Sequence, residues 1–175
     1  MTLRVRTVLL VTGAALTAAL PLRGQRRGSV EVGAFVAYLN ADNSLPVGDG
    51  VGFGGRAGVN IMPYLSLEAD IAQVSKNGNK YSPLHVWLVY DVPPVSRAEL
   101  FFGVGYVRNS YSGSYDAHDS GVGGEIGIRH RIRNRVALRL DGHADFMPSA
   151  ANKSYLISYN GNWGLGLGVS ALLNR

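Results

Sequence analysis

Residues 162–173 constrain the fold more than any other part of the chain, because their side chains alternate between two kinds. One face is apolar and the other is mostly glycine and serine; the apolar face comprises Trp163, Leu165, Leu167, Val169, Ala171 and Leu173. A repeat of two residues is that of a β-strand. Because an unpaired strand edge invites aggregation, we expect this strand to pair with the first strand and close the sheet into a barrel.

Seven further segments show the same alternation and are separated by runs rich in turn residues. They are residues 29–39, 51–61, 64–74, 84–91, 98–108, 121–131 and 135–146. Short joins follow the second, fourth and sixth strands, whereas longer polar loops follow the first, third, fifth and seventh. Short turns at one rim and long loops at the other are typical of outer-membrane barrels. The sequence therefore predicts an all-β fold, an eight-stranded antiparallel up-and-down transmembrane β-barrel.

Three observations place the apolar face outside, towards lipid, and not inside as in a soluble lipocalin-like barrel. The lysines Lys76, Lys80 and Lys153 all lie in predicted loops, although a water-facing sheet would carry several. The polar face combines opposite charges with many glycines, as a narrow lumen requires. Aromatic residues form two girdles: Tyr38, Phe53, Tyr106, Phe146 and Trp163 at the loop rim, and Tyr64 and Tyr90 at the turn rim.

The first residues differ in kind from the rest of the chain. Arg4 and Arg6 precede an apolar run at 7–22, which predicts a cleaved signal peptide at 1–24 and a barrel domain at 25–175. The alternative, one membrane-spanning helix, is disfavoured by the glycine and proline in the run and by its modest length. Cleavage would remove three arginines and no acidic residue, so the net charge falls from +5 to +2 and indicates no nucleic acid partner.

On these features the chain resembles the OmpA-like and OmpX-like family of small outer-membrane β-barrels. The features that carry the resemblance are the signal peptide, the eight amphipathic strands, the alternation of turns and loops, and the closing strand. The resemblance implies a porin-like protein of the cell envelope, exported to the outer membrane of a Gram-negative-type bacterium. Its implied partners are outer-membrane lipid, lipopolysaccharide and, during biogenesis, the barrel-assembly machinery. Family members generally end on an aromatic residue, whereas this chain ends in Leu173, Asn174 and Arg175, which predicts a weaker assembly signal.

The inward-facing charges form the first candidate site. An eight-stranded barrel is just wide enough for side chains to fill its interior, and charges buried there need partners. The sequence therefore predicts an ion-pair network that plugs the lumen, formed by Arg56, Glu68, Asp70, Glu125, Arg129, Arg139 and Asp141. The alternative is a narrow pore or ion channel that is gated when these salt bridges exchange.

The four predicted extracellular loops form the second candidate site, where an extracellular ligand would bind. Tyrosines in loops are typical of recognition surfaces, and residues 115–119 offer oxygen and imidazole ligands for a divalent cation or a lipopolysaccharide bridge. The alternative is a mobile polar loop with no ligand. The candidate residues are Tyr111, Tyr115, Asp116, His118, Asp119, Tyr155 and Tyr159.

The sequence predicts no enzyme, no cofactor and no metal site. Some eight-stranded outer-membrane barrels act on lipid A through a His-x-Ser pair with a glutamate on the outer face. His118 and Ser120 have that spacing here, but all four glutamates, Glu31, Glu68, Glu99 and Glu125, fall on the predicted inward face. The G-x-S-x-G motif is absent, and the glycine repeats lack the following helix that a phosphate site needs. His143, flanked by Asp141 and Asp145, is interpreted as a hydrogen-bonded lumen histidine. The predicted function is structural and surface-interacting, with specificity in the four loops.

Overall fold

The chain forms one closed β-barrel. A computed structural model describes residues 27–41, 49–93, 97–113, 116–148 and 160–173. The strands are β1 (Val30–Asn40), β2 (Gly50–Met62), β3 (Leu65–Lys76), β4 (Asn79–Asp91), β5 (Ala98–Ser112), β6 (Ala117–Arg133), β7 (Val136–Met147) and β8 (Asn160–Leu172). Each is antiparallel to its neighbours in sequence, and β8 pairs with β1. The predicted eight-stranded up-and-down barrel is confirmed. Within the described ranges no helix has the length and apolarity needed to cross a bilayer.

The apolar face of every strand lies on the outside of the barrel. Phe53, Ile126 and Leu167 are 72%, 67% and 59% exposed, respectively. Buried positions instead include Glu68, Arg129 and other charged side chains that point into the lumen. A surface this apolar is stable only against lipid, and a lumen this polar is the arrangement found in membrane barrels. The predicted orientation of the two faces is confirmed.

The connections at one rim are as short as the sequence predicts. A turn at Pro63 and Tyr64 joins β2 to β3, and Tyr64 adopts a φ of 64°. A turn at Asn134 and Arg135 joins β6 to β7. The predicted signal peptide at 1–24 lies outside the described residues.

The long loop predicted after the third strand is wrong. β3 and β4 continue to Lys76 and Asn79, where only Asn77 and Gly78 separate them. Both turn residues have positive φ, at 51° and 80°, as a type I′ hairpin turn requires. Asn-Gly is the strongest short-range hairpin signal, but the polar composition of the flanking residues favoured a loop.

The loop predicted after the fifth strand is much shorter than expected. β5 has 15 residues and β6 has 17, so the hairpin extends both strands into the predicted loop. Only residues 113–116 connect them. A membrane-crossing strand needs roughly 9–11 residues, so this hairpin extends beyond the bilayer.

Aromatic rings in the lumen lie over glycines on the neighbouring strand. Phe35 faces Gly54 across β1 and β2, and Phe101 faces Gly127 across β5 and β6. A methyl group added to either glycine would overlap the opposite ring. These glycines therefore make room for rings that fill the barrel.

We expect Gly127→Ala to destabilise the barrel by about 1–3 kcal/mol, because an overpacked core displaces its neighbours. The added carbon would overlap the Phe101 ring and the Leu140 carbonyl oxygen. The matched control is Gly124→Ala, whose added carbon faces outward and lies 3.8 Å from its nearest neighbour, the Gly103 carbonyl oxygen. Urea unfolding in lipid vesicles measures both, and equal stability of the two variants would contradict the packing of Phe101 on Gly127.

Candidate functional site

The lumen carries far more acidic than basic groups. Among the described residues its carboxylates are Glu31, Glu68, Asp70, Asp91, Glu99, Asp119, Glu125, Asp141 and Asp145. Its guanidinium groups are Arg56, Arg129, Arg131 and Arg139, joined by the imidazoles of His85 and His143. Nine carboxyl groups therefore share the lumen with four guanidinium groups. Because a buried charge without a partner is costly, each cation must lie close to carboxylates.

Arg139 on β7 contacts carboxylates from three strands. Its Nη1 lies 2.5 Å from Glu68 Oε2, its Nη2 lies 3.0 Å from Glu125 Oε2, and its Nε lies 3.1 Å from Asp141 Oδ1. Glu68 is on β3, which is diametrically opposite β7 in an eight-stranded barrel. The Arg139 side chain is only 1% exposed. This ion pair therefore spans the full width of the lumen.

Arg129 on β6 extends the network towards the turn rim. Its Nη1 donates to Asp91 Oδ1 at 2.8 Å and its Nη2 donates to Glu68 Oε1 at 3.2 Å. Its Nε lies 3.4 Å from Glu31 Oε2. Since Glu68 contacts both Arg129 and Arg139, the ion pairs of the two arginines form one continuous network. At the turn-rim end Arg131 Nη2 pairs with Glu99 Oε1 at 2.7 Å.

Arg56 on β2 extends the network in the other direction. Its Nη1 lies 2.9 Å from Asp141 Oδ1, the same oxygen that Arg139 contacts. Aromatic rings cover the cations, with the Arg139 guanidinium 4.0 Å from the Phe101 ring centroid and the Arg56 guanidinium 4.5 Å from that of Phe35. Cation–π contacts of this kind are strongest where water is excluded.

The structure brings together all of the predicted network residues except Asp70. Glu31, Asp91 and Glu99 also contact Arg129 but were not among the predicted network residues. Arg131 was missed in the same way, although its position two residues after Arg129 puts it on the same face. Alternation along each strand was the signal that would have found them.

Asp70 belongs to a second group of residues, the histidine cluster, formed by Asp70, His85, His143 and Asp145. Asp70 Oδ1 lies 2.8 Å from His85 Nδ1, and Asp70 Oδ2 accepts a hydrogen bond of 2.7 Å from Trp87 Nε1. Asp145 Oδ2 lies 3.3 Å from His85 Nε2. The two imidazole rings have centroids 4.7 Å apart. The cluster therefore joins β3, β4 and β7 across the lumen.

Three predicted loop-binding residues lie in strands, so their predicted place in a loop is wrong. Tyr111 and Asp119 are buried in the lumen, and His118 is exposed on the outer face of β6. The Tyr111 ring stacks on Tyr81 with centroids 5.2 Å apart, and Asn162 Nδ2 donates to its hydroxyl at 3.3 Å. Both strands continue past the predicted boundary, which brings these residues into the barrel wall.

The other loop candidates are Asp116 and three tyrosines. Asp116 is exposed between β5 and β6, and its Oδ1 accepts a hydrogen bond from the Gly113 amide at 3.2 Å. Tyr115, Tyr155 and Tyr159 lie outside the described residues.

Asp49, just before β2, connects two strands at the loop rim. The Tyr38 hydroxyl donates to Asp49 Oδ2 at 2.6 Å, and Lys76 Nζ lies 3.7 Å from Asp49 Oδ1. The hydrogen bond from Tyr38 lowers the pKa of the Asp49 carboxyl, and the nearby ammonium of Lys76 adds to the effect. Asp49 therefore carries its charge at the outer surface.

A closed eight-stranded barrel with an apolar outer wall and a charged, filled lumen defines the class of small outer-membrane barrels. The sequence profile of the outer membrane protein beta-barrel domain matches residues 7–170, so the chain belongs to that family. This membership points to the outer membrane as its location and confirms the sequence-based resemblance. A search of curated proteins finds no significant match.

Solved structures of small barrels share the fold. Neisserial surface protein A has a TM-score of 0.66 at 18% identity, covering 82% of this chain and 97% of that chain. OprG from Pseudomonas aeruginosa has a TM-score of 0.62 at 11% identity, covering 88% and 100%, respectively. The N-terminal barrel domain of Pseudomonas aeruginosa OprF also has a TM-score of 0.62, at 14% identity, covering 85% and 100%. At such low identity these likenesses concern the fold alone.

Proposed function

We propose that this protein is a non-enzymatic structural and surface-interaction barrel of the outer membrane, with a lumen plugged by its ion-pair network. The observation that carries the proposal is the Arg139–Glu68 pair, which joins opposite walls of the barrel. Phe101 packs against the same guanidinium. Side chains that reach in from both walls leave little open space through which a solute could pass at this level of the lumen.

Specificity for an extracellular ligand lies, in this proposal, in the loops. The extended β5–β6 hairpin supports it, because strands longer than the bilayer requires hold Gly113 and Asp116 above the lipid. Asp116 is exposed there. The partners we propose are lipopolysaccharide and outer-membrane lipid, an extracellular ligand at the loops, and the barrel-assembly machinery during insertion.

Planar-bilayer conductance of the refolded protein tests the plug. We expect the unaltered barrel to give no steady conductance, and the double variant Arg129→Ala/Arg139→Ala to give steady openings, because truncation removes two large, fully buried side chains from the lumen. Arg56→Ala serves as a milder variant, since Arg139 still holds Asp141. The heat-dependent shift of the folded barrel on gels establishes that each sample is folded.

The opposite result would favour the alternative, a narrow channel gated by the same salt bridges. Steady openings of the unaltered protein that change in amplitude or duration with Arg139→Ala would overturn the plugged-lumen proposal. The same lumen residues would then line a conducting path, and the search for function would move from the loops to the permeating ion.

A further inference from the structure

We propose that His85, His143 and Asp145 form a binding site for a divalent transition-metal ion inside the lumen, with Zn²⁺ as the ion that best matches the ligands. Imidazole and carboxylate are usual Zn²⁺ ligands, and three protein ligands plus a water are a common set. The site is independent of the proposed function, because an ion could be held there whether or not the lumen conducts.

The distances within the cluster suit a metal. One ligand atom from each of the three residues lies within 4.8 Å of the others. His85 Nε2 and Asp145 Oδ2 are 3.3 Å apart, which is about the edge of a tetrahedron with metal–ligand bonds of roughly 2.0–2.1 Å. These two atoms already have the separation that one ion requires, and the His143 ligand atom, within 4.8 Å of both, would move closer on binding.

The hydrogen bonding of His85 leaves a place for a cation. A neutral imidazole that donates through Nδ1 to Asp70 presents a lone pair at Nε2. That lone pair faces the Asp145 carboxylate at 3.3 Å, so either a proton or a metal ion must lie between the two acceptors. A metal ligand histidine commonly donates its other ring N–H to a carboxylate, which orients the ring and raises its basicity. Asp70, itself held by Trp87, occupies that position.

Two further observations point to a ligand. Asp145 Oδ1 accepts no hydrogen bond from the described residues, although the side chain is 0% exposed. Beside the cluster, a cavity of about 10 Å³ is lined by residues that include Asp70, His85 and His143. Such a volume holds about one water molecule, next to two of the three proposed ligands. A divalent cation would also reduce the excess of negative charge in the lumen.

The sequence predicted no metal site, although His143 and Asp145 lie two residues apart on β7, because the third ligand comes from a distant strand. His85 is on β4 and Asp145 is on β7, and only barrel closure brings the two strands to the same lumen. Motif reasoning depends on ligands close together in sequence, and His85 is 60 positions from Asp145.

Metal titration of the refolded barrel tests the site, with Co²⁺ as a spectroscopic probe and Zn²⁺ as the competitor. We expect about one Co²⁺ per chain, with the visible absorption of a tetrahedral or five-coordinate site, and displacement by Zn²⁺. His85→Ala and His143→Ala should each abolish that absorption. Asp70→Asn should weaken Zn²⁺ binding by about 10- to 100-fold, because a lost outer-shell carboxylate typically has that effect.

The chain offers matched controls in its other two histidines. His118 and His130 are exposed on the outer face, so His118→Ala and His130→Ala should leave the absorption and the stoichiometry unchanged. Absence of stoichiometric Co²⁺ and Zn²⁺ binding by a barrel shown to be folded on gels would overturn the proposal and assign the space between His85 and Asp145 to a proton. Absorption that survives His143→Ala but is lost in His118→Ala would also overturn it.

Discussion

Replacing Arg139 with methionine is expected to reduce the free energy of unfolding by about 3–5 kcal/mol, the cost of breaking a buried ion pair by removing one partner. Glu68, Glu125 and Asp141 would each lose a contact of 3.1 Å or less. Methionine retains much of the side-chain volume, so the lost stability would come from the missing charge more than from lost packing. Urea unfolding in lipid vesicles, followed by tryptophan fluorescence, measures the change.

The matched control is the exposed ion pair between Lys76 and Asp49, whose side chains are 46% and 45% exposed. Lys76→Met should change stability by no more than about 1 kcal/mol, because water already solvates both partners. If Arg139→Met were no more destabilising than Lys76→Met, the lumen would be well hydrated, and the plugged arrangement would be wrong.

Leu167→Arg is expected to destabilise the barrel by about 2–4 kcal/mol, the cost of arginine on the lipid face at the bilayer midplane. Leu167 pairs with Val36 on β1 and Leu140 on β7, near the middle of all three strands. Its side chain is 59% exposed on the outer wall, so the guanidinium would have to reach water through apolar neighbours.

Val51→Arg is the position-matched comparison, because Val51 is the second residue of β2 at the loop rim and is 66% exposed. Its cost should be about 0–1 kcal/mol, as found near the interface. Equal and small costs at Leu167 and Val51 in vesicles would mean that the outer wall faces water. Together with Arg139→Met, the pair tests whether charge is stabilising inside the barrel and destabilising outside it.

Much of the barrel could be predicted because strand alternation is a local property. The residues from Gly164 to Val169 alternate between glycine and a larger apolar side chain, which shows the face of each residue directly, since neighbouring residues of a strand point to opposite sides. The ends of the strands were harder to predict from the sequence, as β5 and β6 show. Their polar outer ends resemble loop sequence, and only pairing between the two strands reveals that Tyr111 and Asp119 remain in the sheet.

The sequence by itself determined that this chain closes into an eight-stranded barrel, which face meets lipid, and that opposite charges share the lumen, because each follows from a repeat of two residues. Only the tertiary structure decided which charges meet. Arg139 and Glu68 are 71 positions apart, and their contact depends on the register of every intervening strand. The same reason explains the histidine cluster, since His85 meets Asp145 60 positions away only after the sheet has closed.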